Sequence, residues 1–170
     1  MTQKRIAYGF LLTNGDILLF LHADTRLPRE FCRVIDTDFR QSGRAWGHYD
    51  VTLSHPAIAY RVIAFFMNLR SRFSAISTGD QAMFMTRRAF DEAGGFPEIA
   101  LMEDIAMSKI LKSLSPPFCS RQKVVTSSRK WECAGVLKTI LLMWRLRLAF
   151  FLGADPEHLH RVYYGVDKRS

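Results

Sequence analysis

The sequence predicts an α/β domain with a mostly parallel sheet flanked by helices. Three observations carry that expectation. Short apolar runs such as Ile17-Leu-Leu-Phe-Leu21 are bounded by turn residues and read as buried strands. Longer segments with apolar residues at helical spacing fall between such runs. Strands alternating with helices are the pattern of a sheet covered on its faces. The chain has 170 residues, no internal repeat and no Ser/Gly/Pro-rich linker, so a single domain over 1–170 is expected.

The elements follow in order. Residues 3–13 fit a short helix ending at Asn14-Gly15, and the 17–21 strand comes next. Pro28 to about Arg40 reads as a helix, because proline is tolerated in a first turn. Residues 47–53 have the β-propensity of a second strand. Pro56 to Arg72 sets Ile58, Val62, Phe65, Phe66 and Leu69 at helical spacing, which predicts an amphipathic helix. Gln81–Thr86 is a short strand, and Arg87–Ala93 a brief helix stopped by Gly94-Gly95. Glu103–Ser113 is helical up to Ser115-Pro116-Pro117. Lys123–Ser127 is a strand, and Gly135–Leu152 a long helix closed by Gly153 within a C-terminal helical segment over 135–165.

Composition narrows the function. Hydrophobic residues at 48% and charged residues at 24% exclude a disordered or low-complexity chain. Lys+Arg 24 against Asp+Glu 16 leaves +8, which suits nucleic acid, a phosphorylated ligand or an acidic membrane surface. No helix-turn-helix, zinc-finger or aromatic RNA-binding signature accompanies the charge, so nucleic acid is not expected as a partner. Cys32, Cys119 and Cys133 form no C-x-x-C pair, which argues against a zinc site or a disulfide framework and for thiols in a reducing compartment. The N-terminus lacks the apolar core and cleavage site of a signal peptide. The expected location is the cytoplasm.

The most apolar run, Val136 to Leu152, is interrupted by Lys138, Arg145 and Arg147. Its longest uncharged piece is Thr139–Trp144, far short of the roughly 20 residues a bilayer requires. Lys138 and Arg145 share a face of this helix, while Arg147 lies about 200° further round. A helix so apolar is either buried, in the core or between copies in a homo-oligomer, or laid against the inner face of the membrane. Both uses stay open.

Four constellations could carry chemistry. His22-Ala23-Asp24 leaves the 17–21 strand at its carboxyl end, where α/β sheets bind ligands, and a carboxylate there can hold a divalent cation. The same residues also suit an Asx turn before the Pro28 helix. Thr78-Gly79-Asp80-Gln81 offers a close backbone approach and polar side chains at a loop rim, or an ordinary turn into a strand. Glu103-Asp104 opens a helix, where the dipole favours carboxylates and where a general base could also stand. Thr126-Ser127-Ser128-Arg129-Lys130-Trp131 places two cations and an indole after a strand, fit for a diphosphate or for a solvated turn with a packing Trp.

Taken together and in this order, the four resemble the family 2 glycosyltransferases of the GT-A fold. Gly15 to Asp24 looks like the strand carrying the family's D-x-D motif, with His22 at the first Asp position. Gly94-Gly95-Phe96 followed by Glu103-Asp104 resembles the G-G-F…E-D block. Ser127 to Trp131 resembles a variant of Q-x-x-R-W. The strings LLFLHADTRLP, TGDQAMF, GGFPEIALMED and TSSRKWE are similar to one bacterial subgroup, and the likeness spans roughly residues 5–165.

The resemblance implies a GT-A-like, Rossmann-like sheet lacking the family's first strands, with an unpaired sheet edge. It implies an inverting, metal-dependent transferase moving a sugar from a nucleotide-diphosphate donor to a hydroxyl acceptor such as a lipid or polysaccharide precursor. Asp24 would bind the metal, Mg²⁺ or Mn²⁺, with His22 beside the donor. Asp104, or else Glu103, would be the base. Arg129 and Trp131 would sit over the diphosphate and acceptor. Gly79, Asp80, Gln81 and Gly95 would line the sugar or acceptor pocket. The competing expectation, motivated by the missing strands, is an inactive remnant or interaction module without donor binding.

Overall fold

The computed structural model describes residues 15–165, the side chains of Lys130, Cys133 and Ala134 excepted, so the helix expected at 3–13 lies outside the described residues. The chain is mixed α/β. β1 (Ile17–Leu19) forms one edge of a five-stranded sheet. Next to it lies β4 (Phe84–Thr86), then β3 (Trp46–Leu53), then β5 (Phe118–Thr126), with β2 (Thr25–Arg26) at the far edge.

The expectation of a mostly parallel sheet is corrected. Only β3 and β5 run parallel; β1–β4, β4–β3 and β5–β2 are antiparallel. The physical reason is that a strand covered on both faces is equally apolar whichever way its neighbours run, so apolar runs do not specify direction.

Side chains alternate across this sheet, as the strand period requires. Leu18, Trp46 and Met85 point to one core, under Ala89 of α4 (Arg87–Glu92) and Met107 and Leu111 of α5 (Glu103–Leu114). Tyr49, Val51, Phe84 and Val124 point to the other, against Val34 and Phe39. Those last two belong to a helical stretch that begins later than Pro28. It runs as α1 (Phe31–Arg33), a π-helical segment (Val34–Phe39) and α2 (Arg40–Ser42), then stops at Gly43, whose φ of 63° suits a residue without Cβ.

α3 (Ile58–Ser74) packs on β3 through Tyr60, Ile63, Ala64 and Ser71. Asn68 secures it by accepting from the Val51 N–H at 2.8 Å and donating to the Val51 carbonyl at 3.0 Å. The periodic apolar residues of this helix, Ile58 to Leu69, lie on its other side and are exposed. After β5 come α6 (Arg129–Ala134), α7 (Val136–Phe151) and α8 (Pro156–Tyr164). α8 is started by Asp155, whose carboxylate accepts from the N–H groups of Glu157 and His158. α7 packs through Leu142 and Leu146 against Ile105 and Leu159. Among the described residues no helix is long and apolar enough to cross a membrane.

Candidate functional site

Three loops meet beyond the carboxyl end of β1. The first carries His22 and Asp24, folded back so that the Thr25 N–H donates to the His22 carbonyl at 3.0 Å. The second is a 3-10 turn, Gly79–Gln81, reciprocally capped by Thr78 and Gln81. The third is the start of α5, where Met102 at φ 68° turns the chain into Glu103-Asp104.

Gly79 joins the three. A Cβ at this position would lie 1.9 Å from His22 Nε2, so only glycine lets the imidazole stand over the turn. The Gly79 N–H also donates to Asp104 Oδ2 at 2.8 Å, while Asp104 Oδ1 accepts from the Ile105 N–H at 2.7 Å. Both carboxylate oxygens of Asp104 are thereby fixed.

His22 Nδ1 lies 3.7 Å from Asp80 Oδ1, an ion-pair distance rather than a hydrogen bond. Thr126 Oγ1 donates to the same oxygen at 3.3 Å and accepts from Thr25 Oγ1 at 3.1 Å. One ligand atom each from His22, Asp24 and Asp80 falls within 4.8 Å of the others. This donor set, one imidazole nitrogen and two carboxylate oxygens, fits a divalent cation that accepts both types, Mn²⁺ more readily than Mg²⁺.

The electrostatics of the cluster are coupled. Burial opposes protonation of His22, but Asp80, with Asp104 and Asp24 behind it, reverses that and raises its pKa. Burial likewise opposes ionisation of Asp80; His22, Thr126 and Arg147 outweigh it and hold the carboxyl below its ordinary range. Asp104 is pushed up, first by burial and then by the Glu103 charge, against its two backbone N–H bonds.

Two cations stand on the Asp104 side. Arg147 of α7 is brought down by burial and pulled back by Asp104 and Asp80. Arg70 of α3 is brought to about 10, by burial and then by Arg147, with Asp104 opposing. Nε and one Nη of Arg70 and Nε of Arg147 are buried without a hydrogen-bond partner among the described residues. Buried guanidinium N–H groups without an acceptor are costly.

The structure therefore brings together His22, Asp24, Gly79, Asp80 and Asp104. Glu103 adjoins them through its charge on Asp104. Gln81 does not line a pocket: it is wholly buried, and its amide nitrogen donates to Ser71 Oγ at 2.9 Å, so it braces the turn from behind. Gly95 caps α4 at φ 82°, its N–H donating to the Phe90 carbonyl at 3.0 Å. Arg129 is exposed, and Trp131 packs with Leu53, Tyr60 and Ile63; no hydrogen bond or ion pair among the described residues links either to the cluster. The residues that sequence reasoning did not place here are Arg70 and Arg147. The available signal was the angular position of Arg147, off the flank shared by Lys138 and Arg145. A separate cleft of about 710 Å³ lies at the other end of β1, by Asp16, Arg40 and Arg87.

No protein-family model matches the chain, and no curated protein sequence does.

Proposed function

We propose that the chain is an inverting, metal-dependent glycosyltransferase of the family 2, GT-A type, moving a sugar from a nucleotide-diphosphate donor to a hydroxyl acceptor. The observation that carries the reading is the convergence of His22, Asp24 and Asp80 with Asp104 on three loops outside the carboxyl end of β1. The order of the sequence motifs supports it independently.

In this reading His22, Asp24 and Asp80 would hold Mn²⁺ or Mg²⁺, which neutralises charge on the donor's diphosphate. Asp104 takes the proton of the acceptor hydroxyl as its oxygen attacks the anomeric carbon. The bond from that carbon to the diphosphate oxygen breaks on the opposite face, so configuration inverts. The raised pKa of Asp104 makes it a stronger base than an ordinary carboxylate, and its two backbone hydrogen bonds fix its aim. Arg147 and Arg70 stand as cations on the Asp104 side, where they would stabilise anionic charge on the donor.

The test is calorimetric titration with UDP and GDP, with and without Mn²⁺, on the chain and on Asp24→Asn and Asp104→Asn. Metal-dependent heat should disappear in Asp24→Asn. It should persist in Asp104→Asn, which should lose transfer by about 100-fold or more, the scale of removing a general base. A folded chain with no metal-dependent heat would overturn the transferase reading and favour an interaction module.

A further inference from the structure

The apolar residues of α3 recur at Ile58, Val62, Phe65, Leu69 and Phe73, and all are exposed. Those of α7 recur at Leu137, Leu141, Trp144, Leu148 and Phe151, and they too are exposed. Each set keeps helical spacing, so each is a continuous stripe along one face. Phe73 and Leu137 are 84% and 76% exposed, which is unusual for side chains of this kind. The helices are neighbours: Tyr60, Ile63 and Met67 of α3 pack with Val136 and Ile140 of α7. On α3 the stripe lies opposite the face that packs on α7, and each exposed apolar stripe is by itself a surface made for contact.

Charge selects the occupant. α3 and α7 carry Arg61, Arg70, Arg72, Lys138, Arg145 and Arg147 and not one Asp or Glu. Arg61, Lys138 and Arg145 are exposed beside the stripes. A second copy docked on this face would bring like charges together. An anionic bilayer accepts both parts: apolar side chains enter the boundary between headgroups and acyl chains, and lysine and arginine meet the phosphates.

We propose that α3 and α7 form a docking face for an anionic lipid bilayer, on which the protein lies without spanning it. This does not rest on the transferase reading. The test mixes the purified chain with vesicles of phosphatidylcholine alone and of phosphatidylcholine with phosphatidylglycerol. Co-sedimentation and a blue shift of tryptophan emission are read together.

The anionic vesicles should bind the chain and the zwitterionic ones should bind it far less. Lys138→Gln with Arg145→Gln should weaken partitioning by about 30-fold, from about 1 kcal/mol per cation at such a surface. Phe65→Ser with Trp144→Ser should weaken it by about 100-fold or more. Because all four side chains are exposed, both double variants should keep the parent's thermal midpoint. Three results would overturn the proposal: no co-sedimentation of folded chain with anionic vesicles, variants that bind as the parent does, or a lipid-free dimer that Phe65→Ser with Trp144→Ser dissociates. The last would assign the face to self-association.

Discussion

Replacing Gly79 by alanine isolates His22. The added methyl carbon would lie 1.9 Å from Nε2 and 2.3 Å from Cε1 of the imidazole, so something must move. What it meets is the outer edge of a side chain that is 38% exposed, so the ring can swing into solvent. The folding cost therefore sits near the low end of the usual overpacking range, about 1 kcal/mol. Gly47→Ala is the contrast. There the methyl would meet the Phe118 carbonyl oxygen at 2.4 Å and the Phe84 ring at 2.7 Å, inside the sheet, and the cost should exceed about 3 kcal/mol.

For the site, the displaced ring matters more than the energy of folding. Away from Asp80, His22 loses the partner that raises its pKa, and Asp80 loses the one that lowers its own. The signs are opposite. The stabilisation from His22 is complete below pH 6.5 and is lost as pH rises through its raised value. That from Asp80 is present above 3.8 and is lost as pH falls through its lowered value. The pair therefore stabilises the fold most between those two values, and Gly79→Ala should flatten that window. The assay is NMR titration of the imidazole together with Mn²⁺ affinity. The histidine pKa should fall and Mn²⁺ should bind about 10–100-fold more weakly. An unchanged imidazole titration with unchanged Mn²⁺ affinity would refute the assignment of His22 to the cluster.

Two further outcomes are expected. Arg147→Met removes a buried cation whose Nε has no acceptor among the described residues, so the unfolding free energy from urea melts should hold or rise, by about 1 kcal/mol, while nucleotide affinity falls; a destabilised variant with intact binding would make Arg147 structural. His48 is buried and held down to about 4, so the unfolded chain takes up its proton first as pH falls below 6.5, and stability should drop between 6.5 and 4 by up to about 3 kcal/mol. His48→Gln should remove that slope from a series of urea melts.

The strands and helices near the site were legible because their signals are local. Glu103 opens its helix, Gly94-Gly95 ends one, and the 17–21 run yields β1. Strand direction was not legible, since Phe84 and Met85 are buried on opposite faces of a strand that would read the same in either orientation. The turn at Gly79–Gln81 was legible as a loop rim, but its division of labour was not. Asp80 faces His22 while Gln81 turns inward to Ser71, and that depends on α3 lying behind it.

α3 and α7 mark the deeper limit of a sequence reading. A period of 3.6 identifies a stripe and leaves its partner unspecified. On α3 a second stripe, Tyr60, Ile63, Ala64 and Ser71, is the buried one, because Ala and Ser let the helix approach β3 closely and Asn68 pins it to the Val51 backbone. The larger apolar residues are left outside, on the face proposed to meet lipid. On α7 the same division sorts the cations. Lys138 and Arg145 remain in solvent, and Arg147, about 200° away, enters the protein on the side of Asp104. The charge that spoiled the helix's polar face is the one aimed at the site, so a cation out of register on an apolar helix signals a buried anionic partner or ligand more than a defect of amphipathicity.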